Sequence, residues 1–310
     1  MGVEHRFQFL SNSAPADAQI VFLPVGYDDT VCGVRGTAAG PEAIFEASET
    51  LEYYDEDLGW SPFQHMRPCV LPEITRADGE TEAAFHARIE AEARRIYDSQ
   101  SGRFLIALGG EHSITPSVTA GCLDSPATVV VLDAHADLRA TYQGSALSHA
   151  CTMHRLREQG HPVIIIGLRS LADFEAEKLA GDEGISAYWA RDLQREAGQR
   201  AMIDALLRLK GDVWLSVDMD VFDPALVPGV GTPQPGGLGW YAVMNVLRSL
   251  FENAAITMRG IDVVELIPEA SQVSQVTAAK LVQKAVSFWG KQHKYDEAPR
   301  TGAQSDLSYE

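Results

Sequence analysis

The chain has 310 residues, 45% of them hydrophobic, enough to bury one substantial core, and no low-complexity linker divides its middle. Lysine and arginine number 25 against 43 aspartate and glutamate, a formal net charge of −18 with no basic block, which argues against nucleic acid and for a small cationic partner. The N-terminal Met1-Gly2-Val3-Glu4-His5 is no secretory leader, no apolar stretch approaches the ~20 residues of a membrane span, and Cys32, Cys69, Cys122 and Cys151 form no C-x-x-C pair, so a soluble, cytoplasmic protein without membrane contact is expected.

In chain order, the first apolar run is 20–23. It is followed by Gly36-Thr37-Ala38-Ala39-Gly40-Pro41, a loop leading into a helix with Pro41 in its first turn. Residues 81–98 predict a helix, with Phe85, Ile89, Ala93 and Ile96 as its buried stripe. Apolar runs at 104–108, 129–132 and 163–166 come next, then a helix at 197–209, a run at 213–217, a Gly- and Pro-rich loop at 228–237, a helix at 240–252, a run at 261–264 and a last helix at 277–290 beginning near Thr277. Continuous apolarity without alternation marks strands covered on both faces, hence a parallel sheet. The β–α alternation predicts a doubly wound, mainly parallel sheet in a three-layer α/β/α domain spanning 1–290, with a polar, frayed tail at 291–310.

Three of the runs lead into clusters with metal-ligand chemistry: Gly109-Gly110-Glu111-His112-Ser113, Asp133-Ala134-His135-Ala136-Asp137 and Asp218-Met219-Asp220. In an open parallel sheet, ligands gather beyond the carboxyl ends of the strands, where all three clusters fall. The spacing of two puts Asp133, His135 and Asp137 on one side of an extended backbone, and Asp218 and Asp220 likewise. Carboxylates with imidazoles and no thiolate suit Mn²⁺, Zn²⁺ or Fe²⁺ and lean toward manganese. Without cations several of the aspartates would have to take up protons. A metal pair roughly 3.5 Å apart can share a water and make hydroxide available, which points to hydrolysis. Phosphate esters would call for more cations than Arg139, so an uncharged or cationic substrate fits better.

These residues resemble the ureohydrolases, the family of arginase and agmatinase that splits guanidino compounds into urea and an amine. The resemblance rests on the three clusters above, on Gly-Thr-Pro-Gln-Pro-Gly-Gly at 231–237 and on Val-Val-Glu at 263–265, and runs from about Val25 to Trp289. It implies two Mn²⁺ per chain, one held by His112, Asp133, Asp137 and Asp218 and the other by His135, Asp133, Asp218 and Asp220. It further implies that Glu265 pairs with the guanidinium and that Thr232 lies against it. By the same likeness His149, with His154 as a competing candidate, carries protons to the departing amine. Asp223 and Asp262 are expected to fix turns and support ligands. The family's members are commonly trimers or hexamers.

Residues 138–148 depart from the Asn-rich stretch of arginases, and Glu111 with Ser148-His149-Ala150 looks like the agmatinase branch. Agmatine, cleaved to putrescine in polyamine biosynthesis, is the expected substrate, with aminopropylagmatine close behind. Arg139, if it faces the pocket, would suit guanidinobutyrate or formiminoglutamate, and arginine is less favoured. Outside this class, a mononuclear-zinc deacylase or a non-catalytic family member are the competing readings.

Overall fold

The computed structural model describes residues 5–97 and 102–300. Among the described residues nine strands form in chain order: β1 (Ile20–Gly26), β2 (Pro68–Val70), β3 (Ile74–Thr75), β4 (Phe104–Gly109), β5 (Thr128–Leu132), β6 (Val163–Leu168), β7 (Ile185–Trp189), β8 (Gly211–Asp218) and β9 (Ile256–Val264). They make one sheet in the order β2-β1-β4-β9-β8-β5-β6-β7, with β3 also on β1. Every pairing between them is parallel. All six apolar runs read from the sequence are strands. The three that the runs did not announce, β2, β3 and β7, lie at the two sides of the sheet, and β7 is only partly buried. An edge strand does not need apolar residues on both faces.

Nine α-helices cover the sheet: α1 (Gly40–Ser48), α2 (Glu82–Ile96), α3 (Thr115–Cys122), α4 (Thr152–Glu158), α5 (Asp173–Gly181), α6 (Ala190–Leu193), α7 (Glu196–Leu207), α8 (Trp240–Phe251) and α9 (Val273–Gln292) among the described residues. Strand side chains alternate between two cores. Phe22, Ile106, Val130 and Leu215 pack with Ile44 of α1, Leu206 of α7, Leu247 of α8 and Leu281 of α9. Val21, Leu105, Val129 and Ile165 pack instead with Ile89 of α2, Val118 of α3 and Leu156 of α4. The molecule is therefore the expected three-layer α/β/α arrangement.

Helix α2 buries the predicted stripe of Phe85, Ile89, Ala93 and Ile96, and its first turn is capped by Thr81 Oγ1, which accepts the Ala84 N–H at 3.2 Å. Helix α9 starts about one turn before Thr277, at Val273. There the Glu269 carboxylate accepts the backbone N–H groups of Ser271 and Ser274, at 2.5 and 3.1 Å, and so begins the helix early. Beyond α9 the chain keeps some packing: Tyr295 stacks on Trp289, and His65 Nδ1 meets the Ala298 carbonyl at 2.7 Å. Residues 301–310 of the expected tail lie outside the described residues.

Candidate metal centre

Because the strands are parallel, their carboxyl ends share one edge of the sheet, and the four neighbours β4, β9, β8 and β5 each deliver a polar residue there. His112 follows β4, Glu265 follows β9, Asp218 ends β8 and Asp133 follows β5. Close backbone approach makes this possible at Gly110, where a Cβ would stand 1.9 Å from the Tyr27 carbonyl oxygen. His112, Asp133 and Asp218 each offer one ligand atom within 4.8 Å of the others, and Asp133, His135 and Asp220 form a second such group. Asp137 Oδ2 lies 3.6 Å from His112 Nδ1. The six residues expected as ligands thus converge, and Asp133 belongs to both groups.

The local backbone differs from the extended spacing anticipated. Asp137 turns left-handed, with φ 45°, and residues 219–221 form a helical turn in which Asp218 Oδ1 accepts the Asp220 N–H at 2.8 Å. Short aspartate side chains bond their own backbone readily, so these clusters leave the strand geometry as soon as the sheet ends. Other bonds hold the carboxylates: Asp133 Oδ1 accepts the His135 N–H at 2.6 Å, and Asp220 Oδ1 accepts the Ala134 N–H at 3.0 Å.

The donor set fits divalent metal. His112 Nδ1 and Asp133 Oδ2, both buried and 3.1 Å apart, are left without a hydrogen-bond partner. His112 is also oriented for coordination. Its Nε2 lies 2.9 Å from Ser216 Oγ, and that hydroxyl gives its proton to Asp262 Oδ1 at 2.5 Å. Ser216 can then only accept from Nε2–H, which leaves a bare Nδ1 facing the carboxylates. Asp262 is itself pinned by Trp214 Nε1 and Thr115 Oγ1.

Without cations the cluster is electrostatically costly. Burial and the neighbouring carboxylates push Asp137 and Asp218 far above the usual carboxylate range, and burial with the Glu111 charge does the same to Glu265. Burial alone would raise Asp133, but the His112 and His135 imidazoles beside it outweigh that and hold this carboxyl low. Burial opposes the charged form of His135, yet Asp133 and Asp220 raise it to about 12. Divalent charge would relieve this repulsion.

Above the cluster opens a cavity of about 310 Å³, walled by Glu265, Thr232, His149, Cys32, Tyr142 and Arg139. Glu265 sits at φ 64° with Oε1 anchored on the His112 N–H at 2.6 Å. Thr232 Oγ1 is 3.5 Å from Asp220 Oδ2. His149 faces the cavity, whereas His154 on α4 points to Glu158, 3.6 Å away, and does not line it. Burial, together with the charges of His112 and His135, pulls His149 down to about 4. Arg139 does line the cavity, its guanidinium against the Tyr142 and Phe174 rings at 5.2 and 5.1 Å and Glu175 3.9 Å away. Asp223 accepts N–H groups from Ala225, Gly236 and Gly237 and so ties the Gly-rich loop.

Several participants were not singled out from the sequence. Arg169, directly after β6, donates to the carbonyls of Asp220 and Gln234 and rivets the Gly-rich loop to the metal edge. An arginine ending an apolar run was the available signal. Cys32 and Tyr142 reach the cavity, and Thr30 reaches His149 beside it, from loops that carry no such mark.

The Arginase family model matches residues 18–287. The chain is 37% identical over 296 residues to the N(1)-aminopropylagmatine ureohydrolase of Synechocystis sp., covering 93% of this chain and 95% of that protein. It is 34% identical over 272 residues to the agmatinase of Pyrococcus horikoshii, covering 86% and 90%. Among solved structures, the agmatine ureohydrolase of Thermoplasma volcanium superimposes with a TM-score of 0.80 at 28% identity, over 95% of this chain and 97% of that one. With almost the whole fold matched and its polar strand ends gathered at one edge, the chain belongs to the arginase family.

Proposed function

We propose that this protein hydrolyses a linear guanidino alkylamine to urea and the corresponding amine, using two Mn²⁺ per chain held by His112, Asp133, His135, Asp137, Asp218 and Asp220. The observation that carries this reading is the pair of ligand groups sharing Asp133 at the floor of a cavity that Glu265 also lines. When bound, a divalent pair supplies Lewis acidity and lowers the pKa of water toward neutrality. The chain's own residues do the rest. Glu265, fixed by the His112 N–H, presents a carboxylate to a planar cation, and Thr232 orients the guanidino group against the Asp220 side. His149 carries a proton between the cavity and the leaving amine. Arg139 borders the tail of the substrate rather than its guanidino end, since Tyr142, Phe174 and Glu175 hold it at the mouth.

Similarity to the Synechocystis protein supports the aminopropyl derivative of agmatine as the substrate, with agmatine next through the Pyrococcus relative. The residues that would hold metal form two groups rather than one, which argues against a mononuclear-zinc deacylase. Four free cysteines support a cytoplasmic location, and membership of the arginase family supports a homotrimer or homohexamer. No helix among the described residues is long and apolar enough to cross a membrane. The test is urea release by Mn²⁺-loaded protein from aminopropylagmatine, agmatine, guanidinobutyrate and arginine at equal concentration. Preference for the first two, lost in His135→Ala, is expected; no urea from any of the four would overturn the reading.

A further inference from the structure

His149 belongs to a chain of groups that the metal ligands do not use. The Thr30 hydroxyl donates to Glu111 Oε2, and the Thr30 N–H donates to Oε1 of the same carboxylate. Ser113 Oγ adds a further donor to Oε2, at 3.2 Å. On its other side Thr30 Oγ1 accepts the His149 backbone N–H at 3.2 Å and stands 3.2 Å from His149 Nδ1. A hydroxyl has one proton to give. Since that proton is committed to a buried carboxylate, Oγ1 can only accept from the ring, and Nδ1 must carry the hydrogen.

We propose that Thr30 is a positioning residue which, held by Glu111, fixes His149 as the Nδ1–H tautomer and leaves a bare Nε2 for proton exchange. The far side of the ring agrees. Cys32 Sγ lies 3.3 Å from Nε2, and a thiol is a weak donor that suits a bare nitrogen. The arrangement repeats the one at His112, where Asp262 commits the Ser216 proton and Ser216 in turn sets the ring. One contact works against it: Ser148 Oγ, 3.4 Å from Nδ1, would select the opposite tautomer if it donated there. The kinetic part of the proposal rests on His149 being the proton carrier; the tautomer itself does not.

Nitrogen-15 spectra of histidine-labelled protein, loaded with a diamagnetic divalent ion, read the tautomer directly, with His149→Asn giving the assignment. The wild type and Thr30→Ser are expected to show Nδ1–H, and Thr30→Val to shift the ring toward Nε2–H. Glu111→Gln provides a second route, because its amide would donate to Thr30 Oγ1 and turn the hydroxyl proton toward Nδ1. For urea release, Thr30→Val is expected to lower kcat about tenfold with KM within about twofold, a partial loss of the roughly 10²- to 10⁴-fold that positioned proton transfer contributes. Thr30→Ser restores the rate, and in a His149→Ala background Thr30→Val costs nothing further, because two residues acting as one unit are not additive. An Nε2–H ring in the wild type, or fully additive losses, would overturn the proposal. If no substrate turns over, the proposed function fails while the spectra still decide the tautomer.

Discussion

Asp137 combines two unusual conditions, a left-handed backbone and a carboxyl that burial and Asp133 push far upward. Asparagine tolerates the same backbone and carries no charge to bury. Asp137→Asn is therefore expected to leave the metal-free protein at least as thermally stable as the parent, and Mn²⁺ is expected to raise the Tm of the parent but hardly that of the variant. Differential scanning fluorimetry with and without metal checks both halves. His86 supplies a pH prediction. Burial, with Arg155 and Arg76 adding to it, lowers this histidine to about 3, against roughly 6.5 in an unfolded chain. The unfolded state then binds the extra proton first, so stability is full above about pH 6.5 and falls by about 1.4 kcal/mol per unit as pH drops toward 3. Urea midpoints across that range should decline less steeply in His86→Gln than in the parent. At this scale the sequence shows the candidate ligands because each sits within a few residues of an apolar run. Thr30 is hidden because its partners Glu111 and His149 lie 81 and 119 residues away.

Elements were readable where both faces are buried and opaque where one is open. The central strands announced themselves as short apolar or β-branched runs, with unbroken stretches of Val, Ile and Leu in β5 and β6. The edge strand β7, Ile-Ser-Ala-Tyr-Trp, carries a mixed pattern because helices do not enclose it fully. The start of α9 was missed for a different reason: Glu269 caps from outside the helix, through a side chain whose reach the local periodicity does not register. Loop anchoring follows the same logic. Arg169 donates to carbonyls of the turn after β8 and of the Gly-rich loop. Arg169→Met, which keeps much of the apolar stem, should cost about 2 kcal/mol through carbonyls left unsatisfied. It should also release metal faster, measurable as metal content after timed dialysis against chelator.

For the whole molecule the excess of 43 acidic over 25 basic side chains becomes a rate effect. Charge of one sign draws an oppositely charged ligand over distances that salt screens within about 10 Å at 0.1 M. The kcat/KM for a polycationic guanidino amine should fall as NaCl rises from low salt to 0.3 M, whereas that for zwitterionic arginine should change little. Metal binding is also a global variable. Saturation at a hundred times Kd adds about 2.7 kcal/mol, so chelation should lower Tm in a concentration-dependent way.

The candidate ligands follow β4, β8 and β5, with Glu265 after β9, while the cavity mouth also draws on other stretches, Cys32 after β1 and Glu175 after β6. Part of the mouth is thus inherited on stretches that carry no candidate ligand, although Arg139 and Tyr142 share the connection of His135 and Asp137. A lineage can exchange one mouth segment, and with it the amine it accepts, without passing through an ancestor that has lost its metals.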